Sequence, residues 1–225
     1  MIATTHFEPT GIFPTSDYMR LLDLWRLSWE RQGFTCIVTG SAFIESRMDY
    51  PLVREFCGKV DSFPSANGAG FDRASFRRWI AAYLLSSQFG YLCVSESDVI
   101  NYSLASKGLK HPLNKFNIDD VDGCPSFAFC GINSLNYLVN AVVRHEVGPQ
   151  DSFQGRPHLS DQDFIYRYCS NQDWYNSIKG PVRSVFSDGW KESSLVHYGT
   201  PFFINNNVET RNVAKVDLIQ QLKAL

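Results

Sequence analysis

Two acidic residues, Glu96 and Asp98, stand one residue apart directly after the apolar run 91–95. If the backbone stays extended, alternate side chains point to the same side, so both carboxylates can face one ligand. Hard oxygen ligands of this kind suit Mn²⁺ or Mg²⁺, the cations that accompany diphosphates. The pair therefore predicts a metal site, and the alternative is that both residues are ordinary solvated acids in a loop.

A histidine far along the chain could complete this set. His197 follows the apolar pair Leu195-Val196 at the end of a short predicted strand. Two carboxylates and one imidazole leave room on a six-coordinate ion for diphosphate oxygens and water. We therefore expect His197 to lie within metal-ligand reach of Asp98. The alternative is a buried core histidine with a hydrogen-bond partner.

A second acidic run, Asp161-Gln162-Asp163, follows Ser160 at the start of a predicted helix. This order is an acidic relative of the capping box, in which a serine caps the helix and the residue three further on returns a bond. A helix N-terminus keeps such a carboxylate ionised and makes it a weaker base. Asp161 and Asp163 are candidate catalytic acids, with helix capping as the alternative, and the pattern does not choose between them.

The elements that must position these residues alternate between strand and helix, which predicts an α/β domain with a largely parallel sheet. Strands are predicted over residues 1–5, 35–39, 91–95 and 195–198, and helices over 16–32, 72–88, 133–146, 160–168 and 208–225. The stretch 40–70 mixes Gly, Pro, Ser and charge and indicates no element. In open α/β sheets ligands bind beyond the carboxyl ends of the strands, which is where Glu96 and Asp98 stand.

The composition excludes several classes of protein. The 225 residues are 44% hydrophobic, enough for one large core, and the net charge of −2 provides no basic field for nucleic acid. No apolar run approaches the ~18 residues that span a bilayer, and the first residues show no signal-peptide pattern. The six cysteines form no CxxC pair, which fits a reducing compartment. We expect a cytoplasmic protein with no membrane span and no nucleic-acid partner.

The order strand, long helix, strand, helix and then YLCVSESDVI over residues 91–100 resembles the GT-A glycosyltransferases. In that superfamily a hydrophobic strand ends in a DxD motif, and here Glu96 replaces the first aspartate to give ExD. A late histidine after an apolar pair, here His197, is similar too. So is an arginine-bearing helix before the strand, here with Arg77 and Arg78.

The resemblance covers most of residues 1–200. It implies a Rossmann-like GT-A fold with a mixed, mostly parallel central sheet flanked by helices, as a single domain over 1–225. The nucleotide-binding part would be about 1–100, the acceptor part about 101–200, and a C-terminal helix about 208–225. It also implies a hexosyltransferase that moves a sugar from a nucleotide-sugar, with UDP-sugar favoured, to a hydroxyl of a carbohydrate acceptor in glycan or polysaccharide assembly.

The resemblance also implies roles for the acidic residues. Glu96, Asp98 and His197 would bind Mn²⁺ or Mg²⁺, and Glu96 would also contact the donor. Asp161 and Asp163 match an acidic segment that lies near the anomeric carbon in several GT-A families. Such a carboxylate is the general base in inverting members, whereas in some retaining members the run faces the donor sugar.

Five further residues would serve the nucleotide-sugar if the resemblance holds. Thr4, Thr5 and His6 stand at the end of the first strand, where GT-A enzymes hold the nucleoside. His6 could stack on a base or bond a diphosphate oxygen, and it could equally be a solvated loop residue. Arg77 and Arg78 would approach the donor, with one of them left to solvate the helix.

Two other functions stay open from the sequence. A nucleotidyltransferase acting on sugar phosphates would share the α/β plan and the metal, but residues 6–14 contain one glycine and no lysine or arginine. A non-catalytic carbohydrate-binding protein could keep the same fold, because fold alone does not define function.

Overall fold

A computed structural model describes residues 1–9, 15–65, 69–107, 114–121, 124–178, 181–184 and 192–198. In chain order the strands are β1 Ile2–His6, β2 Thr35–Thr39, β3 Leu92–Ser95, β4 Val99–Asn101, β5 Phe116–Val121, β6 Cys124–Cys130, β7 Ser152–Phe153, β8 Arg156–Pro157, β9 Tyr175–Ser177, β10 Val182–Ser184 and β11 Leu195–His197. The helices are α1 Thr15–Arg31, α2 Ser41–Glu45, α3 Pro51–Asp61, α4 Ala69–Phe89, α5 Ile132–Arg144 and α6 Asp161–Phe164.

The main sheet has six strands within the described residues, in the order β2-β1-β3-β6-β5-β9. β1 pairs in parallel with both β2 and β3, and β5 pairs in parallel with β9. β6 is antiparallel to both of its neighbours, β3 and β5. Because only β6 runs against the others, the predicted mixed and mostly parallel sheet is confirmed.

Alternate residues of the central strands face two different apolar layers. Leu92 and Val94 of β3 pack into a core with α3, α4 and α5, whereas Cys93 between them packs with Trp25 and Trp29 of α1. Both indoles are also tethered. Trp25 Nε1 donates to Ser95 Oγ at 2.8 Å, and Trp29 Nε1 donates to the Val99 carbonyl at 3.1 Å. Helix α1 therefore fixes the chain just before and just after residues 96–98, the segment that carries the two predicted acids.

A separate sheet of three strands, β10-β11-β4, brings the late part of the chain to this segment. β11 is antiparallel to β4, and its register sets His197 opposite Val99. The Tyr198 N–H then donates to the Asp98 carbonyl at 3.0 Å. This pairing, which the sequence did not reveal, places His197 beside Asp98.

The structure changes the predicted elements in several places. Residues 40–70 contain α2, α3 and the start of α4, and Pro51 occupies the first turn of α3, where its missing N–H costs nothing. The helix predicted over 160–168 is only the short α6, followed by a π-helical turn over Ile165–Cys169. Strands β4, β5 and β6 were not predicted. The helix predicted over 208–225 lies outside the described residues.

Helix α1 ends at Arg31, and Gly33 lies two residues beyond its end. This glycine has φ +82°, a left-handed conformation that other residues rarely adopt, and the Phe34 N–H donates to the Trp29 carbonyl at 3.2 Å.

Over the part of the chain that the structure describes, no helix combines the length and apolar character needed to cross a membrane.

Candidate metal centre

The residues 96–98 form the connection between β3 and β4 at the carboxyl edge of the sheet. The Glu96 N–H donates to the Ser126 carbonyl of β6 at 3.0 Å, which extends the strand pairing by one residue. The Val99 N–H then donates to the Glu96 carbonyl at 3.2 Å and closes a tight turn. Because both ends of the turn are hydrogen-bonded, the side chains of Glu96 and Asp98 project from a well-fixed backbone.

Glu96, Asp98 and His197 meet at this turn. His197 Nε2 lies 3.2 Å from Glu96 Oε2 and 3.5 Å from Asp98 Oδ1. Asp98 and His197 are buried, 8% and 7% exposed, while 26% of the Glu96 side chain is exposed. The cluster is therefore buried on the side of Asp98 and His197 and open to solvent on the side of Glu96.

The spacing of these three residues fits a single divalent cation. One ligand atom from each residue lies within 4.8 Å of the others, and among the described residues no other group of histidine, cysteine or acidic side chains does so. Two ligands on opposite sides of one Mg²⁺ ion, at ~2.1 Å each, are ~4.2 Å apart, so small side-chain movements suffice. Two hard carboxylates and one imidazole form a donor set that suits Mn²⁺ or Mg²⁺.

Arg78 links this cluster to Asp161. Its Nη1 donates to Glu96 Oε1 at 2.9 Å, while Nε and Nη2 donate to Asp161 Oδ2 at 3.0 and 2.6 Å. The indole Nε1 of Trp79, the next residue of α4, donates to the same oxygen at 2.9 Å. Arg78 and Asp161 are both buried, so the three bonds hold the guanidinium in one orientation.

The carboxylate of Asp161 lies in a strongly perturbed environment. Burial raises the pKa of Asp161, and this effect outweighs the charge and hydrogen bonds of Arg78 and Trp79, which act in the opposite direction. The negative charge of Glu96 also raises this pKa. An acid with a raised pKa next to a candidate metal site is a recurrent property of catalytic carboxylates.

Asp163 has a different environment from Asp161. Its N–H donates to Ser160 Oγ at 3.1 Å, and its Oδ2 accepts from the Ser160 backbone N–H at 3.5 Å, which forms the capping box at the start of α6. The Ser160 hydroxyl also donates to the same Oδ2 at 2.7 Å. Its Oδ1 accepts from Arg167 at 3.2 Å. The two acids of the run therefore have different partners: Asp161 accepts hydrogen bonds from Arg78, and Asp163 belongs to the helix cap.

The predicted residues at the end of β1 lie in a second polar cluster. His6 Nδ1 is 3.0 Å from Thr39 Oγ1, its Nε2 is 3.0 Å from Glu8 Oε1, and only 1% of its side chain is exposed. Arg77 Nη1 donates to Glu8 Oε2 at 3.4 Å. Burial alone would raise the pKa of Glu8, but its contacts with His6 and Arg77 lower it overall.

The two residues before His6 on β1 are buried as well. Thr4 and Thr5 are 3% and 1% exposed, because β1 lies between β2 and β3. Arg77 also reaches Asp61 of α3 through Nη2 at 3.2 Å. The structure thus brings Glu96, Asp98, His197, Arg78 and Asp161 together, and it places His6 and Arg77 in a neighbouring network around Glu8.

Three residues of these networks carried no signal of their own in the sequence. Trp79 follows two arginines and reads as part of the helix stripe, and Glu8 is a lone acid in a loop. Ser126 is buried on β6, opposite Glu96, and its hydroxyl has no hydrogen-bond partner among the described residues. Buried hydroxyls are usually satisfied by protein, water or ligand.

By sequence, the chain matches no known family model and no curated protein. By structure, it matches a glycosyltransferase involved in the glycosylation of the major capsid of PBCV-1. The match covers 98% of both chains with a TM-score of 0.58 and 12% sequence identity. At this identity the likeness establishes the fold and no more. This chain therefore has the fold of a glycosyltransferase, with the α/β architecture of the GT-A type that its sequence predicts.

Proposed function

We propose that the protein is a metal-dependent glycosyltransferase that moves a sugar from a nucleotide-sugar, a UDP-sugar, to a hydroxyl of a carbohydrate acceptor. One observation carries the proposal. In a chain with a glycosyltransferase fold, Glu96, Asp98 and His197 converge at the carboxyl edge of β3 with their ligand atoms within 4.8 Å of one another. This edge is where α/β sheets bind their ligands.

Glu96, Asp98 and His197 would hold Mn²⁺ or Mg²⁺, which when bound neutralises charge on the leaving diphosphate as a Lewis acid. The protein's part is to hold the three side chains in place before the donor arrives. The bonded turn at residues 96–98 and the pairing of β11 with β4 set the backbone positions from which the three side chains converge.

Arg78 supplies a fixed positive charge beside the metal ligands. Its Nη1 lies 2.9 Å from Glu96, so the guanidinium would lie near a diphosphate held by a cation at this site. The bonds that Arg78 donates to Asp161, whose Oδ2 also accepts from Trp79, keep the guanidinium from turning away. We assign Arg78 to the donor and Asp161 to the reaction, where its raised pKa suits proton transfer with the acceptor hydroxyl. Asp163 we assign to the helix cap.

The end of β1 would hold the nucleoside. Thr4, Thr5 and His6 form the carboxyl end of this strand. The loop that follows is fixed at Glu8, which contacts His6 and accepts a hydrogen bond from Arg77 of α4. With both ring nitrogens engaged and its side chain buried, His6 contributes to binding by holding the loop rather than by stacking on a base.

The test is release of UDP from a panel of UDP-sugars, with GDP-sugars as the comparison, in Mn²⁺ and after removal of metal with EDTA. We expect UDP release with one or a few UDP-sugars, loss of that release in EDTA, and recovery on adding Mn²⁺ in excess. Release that is equal with and without EDTA would overturn metal dependence. Release of GDP in place of UDP would overturn the choice of donor.

A further inference from the structure

A buried histidine ties together the two helices that carry the Arg78–Asp161 pair. His158 precedes α6 and is 4% exposed. Its Nδ1 lies 3.6 Å from Asp72 Oδ2 in the first turn of α4, and its Nε2 lies 3.5 Å from Asp163 Oδ2 in α6. Each ring nitrogen therefore faces a carboxylate oxygen, one on each of the two helices. We call these three residues the His158 bridge.

The two ends of the bridge are themselves anchored. Asp72 is buried and accepts a hydrogen bond from the Ser65 hydroxyl just before α4. Asp163 belongs to the capping box with Ser160. The bridge therefore joins one fixed carboxylate on each helix and does not depend on a mobile side chain.

Helix α6 needs such a tie because it is too short to hold its own position. It has four residues and passes directly into a π-helical turn. Isolated helices much shorter than about 12 residues are not stable in water, so tertiary contacts must set the direction of α6. The backbone before it is held as well, since the Leu159 N–H donates to the Pro64 carbonyl at 2.9 Å.

The position of α6 decides whether Asp161 reaches α4. Asp161 is three residues after His158, and its Oδ2 must lie within hydrogen-bond distance of both Arg78 and Trp79. In a variant without the imidazole, Asp72 and Asp163 lose the ring that lies between them, and their two carboxylates repel each other across the same gap. The first turns of α4 and α6 would then move apart.

We propose that His158 is a positioning residue, which holds Asp161 against Arg78 and Trp79 by bridging Asp72 and Asp163. Its effect on turnover rests on the function proposed above. Its effect on the Trp79–Asp161 hydrogen bond does not, so the two claims can be tested apart.

The direct readout is the indole N–H resonance of Trp79 in ¹⁵N-labelled protein, assigned with a Trp79→Phe variant. In His158→Gln we expect this resonance to shift as the bond to Asp161 lengthens. The indoles of Trp25 and Trp29 bond to Ser95 and Val99 on the opposite side of the sheet and should stay in place. An unshifted Trp79 resonance in folded His158→Gln overturns the proposal.

Two further variants make the result specific. Arg167→Gln removes the exposed partner of Asp163 and leaves the link to α4 intact, so the Trp79 resonance should not move. Asp72→Asn keeps the shape of the other end of the bridge and removes its charge, so it should shift Trp79 as His158→Gln does. If His158→Gln does not fold, Asp72→Asn decides, and an unshifted Trp79 in that variant overturns the proposal.

Kinetics give the second readout. His158→Gln should lower kcat for sugar transfer about tenfold to a hundredfold, because a displacement of about 1 Å near the reacting groups has effects of this size. Mn²⁺ affinity should stay unchanged, since none of the three metal ligands lies on α6. If the unmodified protein transfers no sugar while the Trp79 resonance still shifts in His158→Gln, the proposed function fails and the bridge stands.

Discussion

The hydroxyl groups of Tyr102 and Tyr198 lie 2.6 Å apart and join the chain just after β4 to the chain just after β11. Tyr198 follows the metal-ligand candidate His197, and it is fully buried. This bond and the Tyr198 N–H bond to Asp98 hold the end of β11 in register. The position of His197 therefore depends on a pair of residues that touch neither carboxylate of the site.

Loss of this hydroxyl pair should loosen the metal site. In Tyr198→Phe we expect the free energy of unfolding to fall by about 1 kcal/mol, the usual contribution of one hydrogen bond. Mn²⁺ affinity should fall about threefold to tenfold, as His197 gains freedom. Tyr102→Phe removes the same bond and should match it, and the double variant should add little. Additive losses, measured by urea unfolding, would mean that the two hydroxyls act separately.

Asp98→Asn tests the metal site directly. An amide oxygen is a much poorer ligand for a hard cation, so Mn²⁺ affinity and UDP release should fall together, with partial rescue by excess Mn²⁺. Unfolding in EDTA should show little loss of stability, because two clustered carboxylates repel each other without a cation. Asp173→Asn, an exposed acid outside this cluster, is the control. Normal metal-dependent UDP release by Asp98→Asn would remove Asp98 from the site.

Substitutions of the two neighbouring arginines of α4 should have different effects on kcat and KM. Arg78→Lys keeps the charge but cannot bond Glu96 and Asp161 with the same planar group, so kcat should fall by about tenfold or more. Arg77→Lys disturbs only the contacts with Glu8 and Asp61, so it should raise the KM for the donor and change kcat little. The measurement is initial rates over a range of UDP-sugar concentrations. Equal effects of the two substitutions would contradict the separation of the networks.

Asp161 and Asp163 can be separated in the same way. Asp161→Asn should lower turnover by about 10²–10⁴ with the fold intact, the range for loss of a group that transfers a proton. Asp163→Asn should cost about 1 kcal/mol of stability through the weakened cap. Because Asp163 is also one end of the His158 bridge, its loss should lower turnover no more than His158→Gln does. Turnover assays and thermal unfolding of both variants provide the check. Full activity in Asp161→Asn would contradict a catalytic role for Asp161.

The acid dependence of stability should trace in part to Asp151. Burial alone would raise the pKa of Asp151, but hydrogen bonds from Tyr168 and the Gly148 N–H and the contact with His145 lower it overall. The folded protein therefore binds fewer protons here than the unfolded chain, and stability falls as the pH decreases through the acidic range. In Asp151→Asn the loss of unfolding free energy between about pH 5 and about pH 2 should be smaller. An unchanged difference would contradict this.

The sequence predicted those parts of the site that depend on one segment at a time. A buried apolar run that ends in two acids identifies β3 and its carboxyl edge, and the pattern of Ser160 and Asp163 identifies a cap. Arg78 and Asp161 lie 83 positions apart, and no local pattern shows which charged side chains meet over such a distance. His197 was predicted as a ligand from the apolar pair before it and then from the resemblance, yet the pairing of β11 with β4 that places it was not visible.

The missed elements have local reasons. β4 has only three residues, too few for a period of two to stand out, whereas the strand predicted over 195–198 is present as β11. Pro51 in the first turn of α3 was a readable signal for a helix start, but the surrounding Gly, Ser and charge obscured it. α6 changes to a π-helical turn after four residues, and the sequence pattern of a π-turn is the same as that of an ordinary helix.

The pairing of β11 with β4 also sets the order in which the site can form during synthesis. A ribosome makes residues 1–101 first, and these include β1, β2, β3 and both acidic ligands. His197 emerges only after almost all of the described chain, so the nascent protein presents Glu96 and Asp98 without their imidazole partner. On the proposed function, the three-residue cation site would therefore form only after β11 has emerged, and a chain truncated before β11 would lack its imidazole ligand.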